Sequence, residues 1–396
     1  MAFHAFRRGF GSRREFLTTG ARVAVGLALT GAGCGTSQTH MPDSPPSPTP
    51  DASVPRVAIV RAPGYADVDG AMDHGLSLLG GIGDLVRGKR VAVKVNLTGT
   101  GQSVLGLPAQ ETYVVHGATI AALVRHLAAA GAADIVLVES ASFLGGLDQF
   151  AEKFGWDVGA LKAAGPVTFE NTRNLGTGTS YVRRDVPAGL MYDYFMLNEM
   201  YSSAQVYVSL AKMKNHRAAG VTLALKNMFG ITPNALYGED GPGEHATGSR
   251  LAMHDRPAYG PAEMPGEKGV LVTAGAFIRV PRTVVDLNAA RPVHLAVIEA
   301  VTTMSGGEGS WSESSGELRR VSPGVLIMGR DAVATDAVAV SVMGYTDPLT
   351  TTKPPFHFCE NHIMMAHEAG LGVGDLDRIT VVGEPISDVK TSFAWV

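Results

Sequence analysis

Short apolar runs recur along the chain at Val57–Val60, Val91–Leu97, Ile135–Glu139, Val206–Leu210, Leu295–Ile298, Val325–Met328 and Ile379–Val382. Each has the length and the β-branched content of a strand. Between Val91–Leu97 and Ile135–Glu139, the segment Val114–Ala130 carries apolar residues at helical spacing and stops at Gly131-Ala132. Asp331–Val342 follows Val325–Met328 in the same way, with Asp331 placed to cap it. Strand and helix alternating in this order predict an α/β fold, with a mostly parallel sheet covered by helices on both faces. A long loop-rich excursion is expected around residues 238–282, where glycines break every pattern.

Polar residues interrupt the strands at their carboxyl ends, where open α/β sheets receive ligands. Lys94 and Asn96 share one face of Val91–Leu97, and Glu139 with Ser140 closes the next strand. A lysine inside Val-Ala-Val-Lys-Val-Asn-Leu needs an acid or a ligand if the strand is central, or water if it lies at an edge. The densest group follows Val206–Leu210. Lys212, Lys214 and His216 alternate as in an extended chain and so share a face. Thr222 and Lys226 stand four apart in a short helix-like run closed by Gly230 and Pro233. No acid lies in this stretch, so a phosphate or carboxylate ligand is the expected counter-charge, with Thr222 and Asn227 as hydrogen-bonding partners. The acids that could stand among the lysines instead are Glu139, Asp331 and Asp336.

Composition narrows the class. With 45% hydrophobic and 18% charged residues, the 396-residue chain can bury a large core. A net charge of −4 leaves no basic excess for nucleic acid. The N-terminus reads as an address over residues 1–34. Ser12-Arg13-Arg14-Glu15-Phe16-Leu17 resembles a twin-arginine export signal, and the apolar run from Ala21 to Gly33 is too short for a membrane span. Cys34 resembles the acceptor cysteine of bacterial lipoproteins, although Gly31 stands where a larger aliphatic residue is usual; acylation and ordinary cleavage both remain open. Residues 35–55 form a proline- and serine-rich tether, which leaves 56–396 as a single α/β domain. The expected location is therefore exported, periplasmic or cell-envelope, with the export machinery as a partner and membrane contact only through signal or lipid.

Two cysteines exclude a disulfide scaffold and an iron–sulfur cluster built from this chain alone. His357, Cys359 and His362, with His367, make the metal-like cluster, though ordinary helix residues explain it equally well. His245 and His254 lie in the excursion, which could fold down as a lid. Gly306-Gly307-Glu308-Gly309 lacks the spacing of a dinucleotide fingerprint or a P-loop, and no Gly-x-Ser-x-Gly elbow occurs.

Four phrases, Val91-Ala92-Val93-Lys94-Val95-Asn96, Ala211-Lys212-Met213-Lys214-Asn215-His216, Thr222 to Gly230 and Gly329 to Ala337, together resemble domain-of-unknown-function family 362. The closing Gly370-Leu371-Gly372-Val373-Gly374-Asp375-Leu376 fits it as well, so the likeness runs from about Val57 to Val382. It implies the fold and the polar positions, and no settled activity. Relatives that carry ferredoxin-like cysteines differ from this chain, which has none. The resemblance also implies an acid before a glycine-rich turn, matched here by Glu299, with Ser310-Trp311 in place of a proline step. Two classes of function stay open. One is an exported enzyme on an anionic small molecule, with the lysines holding charge and His216, Lys226 or Asp336 moving protons. The other is a tethered, non-catalytic receptor for an anionic ligand, cofactor or metal. The cofactor itself is not specified by the sequence.

The address is directly testable. Arg13→Lys with Arg14→Lys should leave uncleaved protein in the cytoplasm, and Cys34→Ser should move the mature form from membrane to soluble fraction. Cell fractionation showing normal export of the double mutant would remove the twin-arginine reading; an unmoved Cys34→Ser would remove the lipid.

Overall fold

The computed structural model describes residues 54–255, 264–269, 274–315 and 318–393. The expected signal, Cys34 and nearly all of the tether lie outside the described residues. Eight strands form one sheet: β1 (Arg56–Arg61), β2 (Arg90–Val95), β3 (Asp134–Glu139), β4 (Val167–Asn171), β5 (Val206–Lys212), β6 (Leu295–Ala300), β7 (Val325–Gly329) and β8 (Thr380–Gly383). Their spatial order is β8-β1-β7-β6-β5-β2-β3-β4. All neighbours pair in parallel except at β7, which runs against both β1 and β6. The mostly parallel sheet is thus present, and all seven expected strands belong to it.

Period-two alternation sends successive side chains into two cores. Val57, Ile59, Ala92, Val136 and Val138 enter one; Ala58, Val60, Val91, Val93 and Val95 enter the other. The second core is covered by α1 (Val68–Leu78) and α2 (Gly117–Ala129), and the first by α4 (Ala276–Ala290) and α5 (Ala332–Val342), with the one-turn α3 (Ala224–Asn227) between β5 and α4. Asp331 caps α5 as expected, accepting the Ala334 amide at 2.9 Å.

Three details differ from the pattern read along the chain. β4 carries the mixed sequence Val-Thr-Phe-Glu-Asn, suited to the sheet edge it occupies and too polar to stand out as an apolar run. The loop-rich excursion ends at Gly275, because α4 begins at Ala276 and continues through Pro281, a residue that ordinarily argues against a helix. Finally, β2 lies between β5 and β3, so Lys94 is not an edge residue; it is buried. Among the described residues no helix is long and apolar enough to cross a membrane.

Candidate functional site

Strand β5 breaks at Met213, and Lys214–His216 turns back as a short hairpin with Gly220–Thr222. The break separates the lysines that strict alternation would have placed together. Lys212 continues the face of Val206, Val208 and Leu210, in the α1/α2 layer. Its ammonium lies 2.9 and 3.0 Å from the two oxygens of Glu299 and also donates to the Gln110 carbonyl at 2.9 Å and the Tyr65 hydroxyl at 3.2 Å. Both ion-pair partners are 0% exposed. The expectation that Lys212 awaits an anion is corrected: its anion is Glu299, 87 residues away.

Lys94 also has an acid of its own. Its Nζ donates to Glu139 Oε2 at 2.8 Å, to the Val95 carbonyl at 2.8 Å and to Asn227 Oδ1 at 3.1 Å. Asn227 then spends its amide nitrogen on the Lys94 and Leu210 carbonyls and on Ser209 Oγ, so one side chain ties β2 to β5. A Cβ on Gly230 would come within 2.3 Å of Glu139 Oε1 and 2.8 Å of Lys94 Nζ, which is why the turn after Phe229 is a glycine. Burial pulls the Lys94 ammonium below its ordinary value while Glu139 pulls it back up.

Above these groups lies a cavity of about 840 Å³, within the size range of small-molecule sites. Five cationic side chains line it, from Lys94, Lys214, Arg217, Lys226 and Arg250, against three carboxylates from Glu139, Asp255 and Glu308. Asn96, Thr222, Asn227, His216 and His254 line it too. Thr222 and Lys226 meet there from a strand and a helix, not from one helical face as their spacing suggests.

The cavity's cations differ in how they are satisfied. Lys214 donates to the carbonyls of Tyr113 at 2.5 Å and Glu308 at 2.8 Å; burial pushes it down to about 7, with Glu308 opposing the shift and Lys226 adding to it. Arg250 fastens Ser140, Thr232 and Asn234 through one guanidinium nitrogen. Lys226 is half-buried and has neither a hydrogen-bond nor an ion-pair partner among the described residues; its Nζ stands 4.6 Å from the Phe229 ring centroid. Burial first, opposed by Glu308 and reinforced by Arg250 and Lys94, pushes it down to about 8.

The two cavity histidines, His216 and His254, are held toward the neutral form. His254 Nδ1 lies 2.9 Å from the Arg250 carbonyl, which can only accept, so Nδ1 holds the proton and Nε2 keeps its lone pair. Burial and then Lys226 hold this ring down to about 3. His216 is held well below its usual value by burial and the charges of Lys226, His254 and Lys214; its Nδ1 is 3.2 Å from Glu308 Oε2. Two polar wall atoms, Thr222 Oγ1 and Asn96 Oδ1, are buried without a hydrogen-bond partner.

Asp336 lies elsewhere. It accepts the Ala224 and Leu225 amides at 2.8 and 2.9 Å, which fixes the start of α3 and thereby the placement of Lys226 and Asn227. It does not line the cavity, so a direct proton-transfer role for it is corrected to one of positioning. The metal-like group is scattered as well: His357 is exposed while Cys359 and His362 are buried. No group of three or more metal-ligating side chains occurs among the described residues. Of the excursion histidines, His254 reaches the cavity and His245 is exposed. Sequence patterns missed Arg250 and Glu308; Glu308 had a signal, since it stands in Gly-Gly-Glu-Gly directly after β6 and its adjoining strand Thr303–Ser305.

The model of the domain of unknown function DUF362 matches residues 91–341, a span that includes every cavity cation named above. No curated protein matches the chain. Among solved structures, it is similar to the lactate racemase apoprotein from Thermoanaerobacterium thermosaccharolyticum, at 14% identity and TM-score 0.36 over 61% of this chain and 50% of that one. A structural-genomics protein from Thermotoga maritima matches at 11% identity and TM-score 0.34 over 68% of this chain and 56% of that one. The chain thus spans about half the length of both, and at these scores nothing about the site carries over.

The two kinds of lysine should respond oppositely to removal. Lys212→Met leaves Glu299 buried and unpaired and should cost about 3–5 kcal/mol of stability. Lys226→Met should leave stability at pH 7 equal or higher. The unfolded chain holds that proton up to 10.5 and the folded one only to about 8, so the charge opposes folding, and its penalty fades as pH rises between those values. Denaturant midpoints of both variants check the pair of signs.

Proposed function

The chain belongs to the DUF362 family, a domain of unknown function, and we propose that it binds a small organic anion, a carboxylate or phosphate, in the cavity at the strand ends. The observation that carries this reading is the Lys226 ammonium, half-buried in a cavity with a cationic excess and without a protein acceptor of its own among the described residues. A half-buried cation crowded by like charges is held at a cost, and sites that keep one use it on a ligand. Thr222 Oγ1 supplies a hydroxyl donor to the same anion, and Asn96 Oδ1 accepts from a ligand hydroxyl. Lys214 has spent two of its three N–H groups on carbonyls and keeps one for the ligand.

The enzyme reading is favoured over the purely binding one by His254, whose unprotonated Nε2 belongs to a residue in the same wall. With the twin-arginine address added, binding takes place outside the cytoplasm on a tethered body.

Binding should follow the protonation of Lys214 and Lys226. An anion favours the charged forms, so affinity should be level below about pH 7 and fall above it, by up to tenfold per unit for each lysine, as first Lys214 and then Lys226 loses its proton. Calorimetry or thermal shift with acetate, citrate and phosphate reads this directly, and Lys226→Met should weaken whichever anion binds by about tenfold or more. Absence of any anion-dependent shift in the parent protein, across the panel, would end the proposal.

A further inference from the structure

We propose that Lys226 is a carbonyl-condensing amine that forms an imine with a 2-oxo acid held in the cavity; this builds on the anion-binding reading. Three observations converge on it. First, Lys94 and Lys214 are each fastened by two or more protein acceptors, whereas the Lys226 nitrogen is bonded to none among the described residues. Its lone pair, once uncovered, is free to react. Second, Lys94, Lys214 and Arg250 line the same cavity, and one face of the amine looks onto the Phe229 ring. Cationic neighbours and desolvation disfavour the ammonium against the modest cation–π attraction of Phe229, and they are the two devices by which lysine nucleophiles are made available at neutral pH. The direction of the Lys226 shift agrees with this geometry. Third, the His254 ring lies 4.7 Å from Phe229, the same ring Lys226 covers, and carries its proton on the nitrogen bonded to Arg250. Its other nitrogen is free to relay a proton.

The substrate class follows from what the cavity offers: a 2-oxo acid brings a carboxylate for the spare N–H of Lys214 and for Thr222, and a carbonyl carbon for the Lys226 amine that lines the same cavity. In the reaction, the amine lone pair bonds to that carbon and the C=O π pair moves to oxygen. Both amine protons pass to the oxygen, with His254 as relay, and the oxygen leaves as water to give C=N. No oxidant or reductant is needed. The imine then withdraws electrons from the bonds beside it, which eases loss of a neighbouring proton or of the carboxylate.

The experiment uses the purified mature chain, pyruvate as the probe, and propionate as the matched acid without the carbonyl. Borohydride added to protein and pyruvate should fix a reduced adduct, and peptide mapping should find it on Lys226 at about tenfold or more over any other lysine. Lys226→Arg should give no adduct at that peptide. Propionate should shift the melting temperature and leave no adduct. If propionate or pyruvate shifts the melt but borohydride traps nothing at Lys226, or labels surface lysines equally in parent and Lys226→Arg, the condensation is wrong and the anion site stands. Should neither acid shift the melt and no adduct form, the anion site and the condensation fall together.

Discussion

The arrangement rests on keeping ammonium groups at the carboxyl ends of parallel strands, out of water. Burying a charge there costs several kcal/mol, about that much per ion even after relaxation, unless its hydrogen bonds are complete. Lys94 meets the demand with three acceptors, and the acceptors are what organise the strand ends. Glu139 comes from the end of β3 and also takes the Leu97 amide at 3.0 Å, which fixes the chain as it leaves β2. Asn227 comes from α3 and joins β2 to β5. Once Asn227 is held this way, its neighbour Lys226 is carried to the cavity. The free amine is therefore a consequence of the satisfied one.

A second pair does the same on the other side of the sheet. Glu299 at the end of β6 takes both its own Lys212 and the backbone amides of His116 and Val301. Hydrophobic residues of equal volume often stabilise as well as such pairs, so stability alone does not account for two of them. What they provide is register: each acid can satisfy its lysine only when adjacent strands end at matching heights. Asp336 adds the third fixed point, holding the start of α3 through two amides. Lys226 thus sits on a one-turn helix fastened at its first residue by α5 and at its last by the sheet.

The strand order of polar and apolar positions made the sheet legible, because a buried parallel strand has few ways to be written. Lys94 and Glu139 were each legible as an unusual residue at a strand end, while their pairing with one another came only with the sheet order. Lys212 was misleading for a specific reason: alternation through Lys212, Lys214 and His216 holds only while the chain stays extended, and the break at Met213 ends it. Glu299, Glu308 and Arg250 sit 87, 94 and 110 residues from Lys212, Lys214 and Ser140, the groups they satisfy. No local pattern encodes contacts of that separation; they follow from the order of strands, which topology decides and periodicity does not. Thr222 and Lys226 both line the cavity, although they stand on a strand and on the one-turn α3 and not on one helix.

Charge in the cavity is governed by its lysines and not by its histidines. His216 and His254 lie among ammonium groups and are buried, so both stay neutral across the physiological range. Lys214 and Lys226, moved down to about 7 and about 8, are the groups whose charge changes there. Reversing the usual order of the two residue types gives one wall a set of fixed lone pairs and an adjustable positive charge beside it. A ligand that brings its own negative charge shifts both lysines back up by neutralising their mutual repulsion. Entry of the anion and protonation of the cavity are consequently one event, and a neutral analogue of the same shape would meet a site with its charges only partly in place.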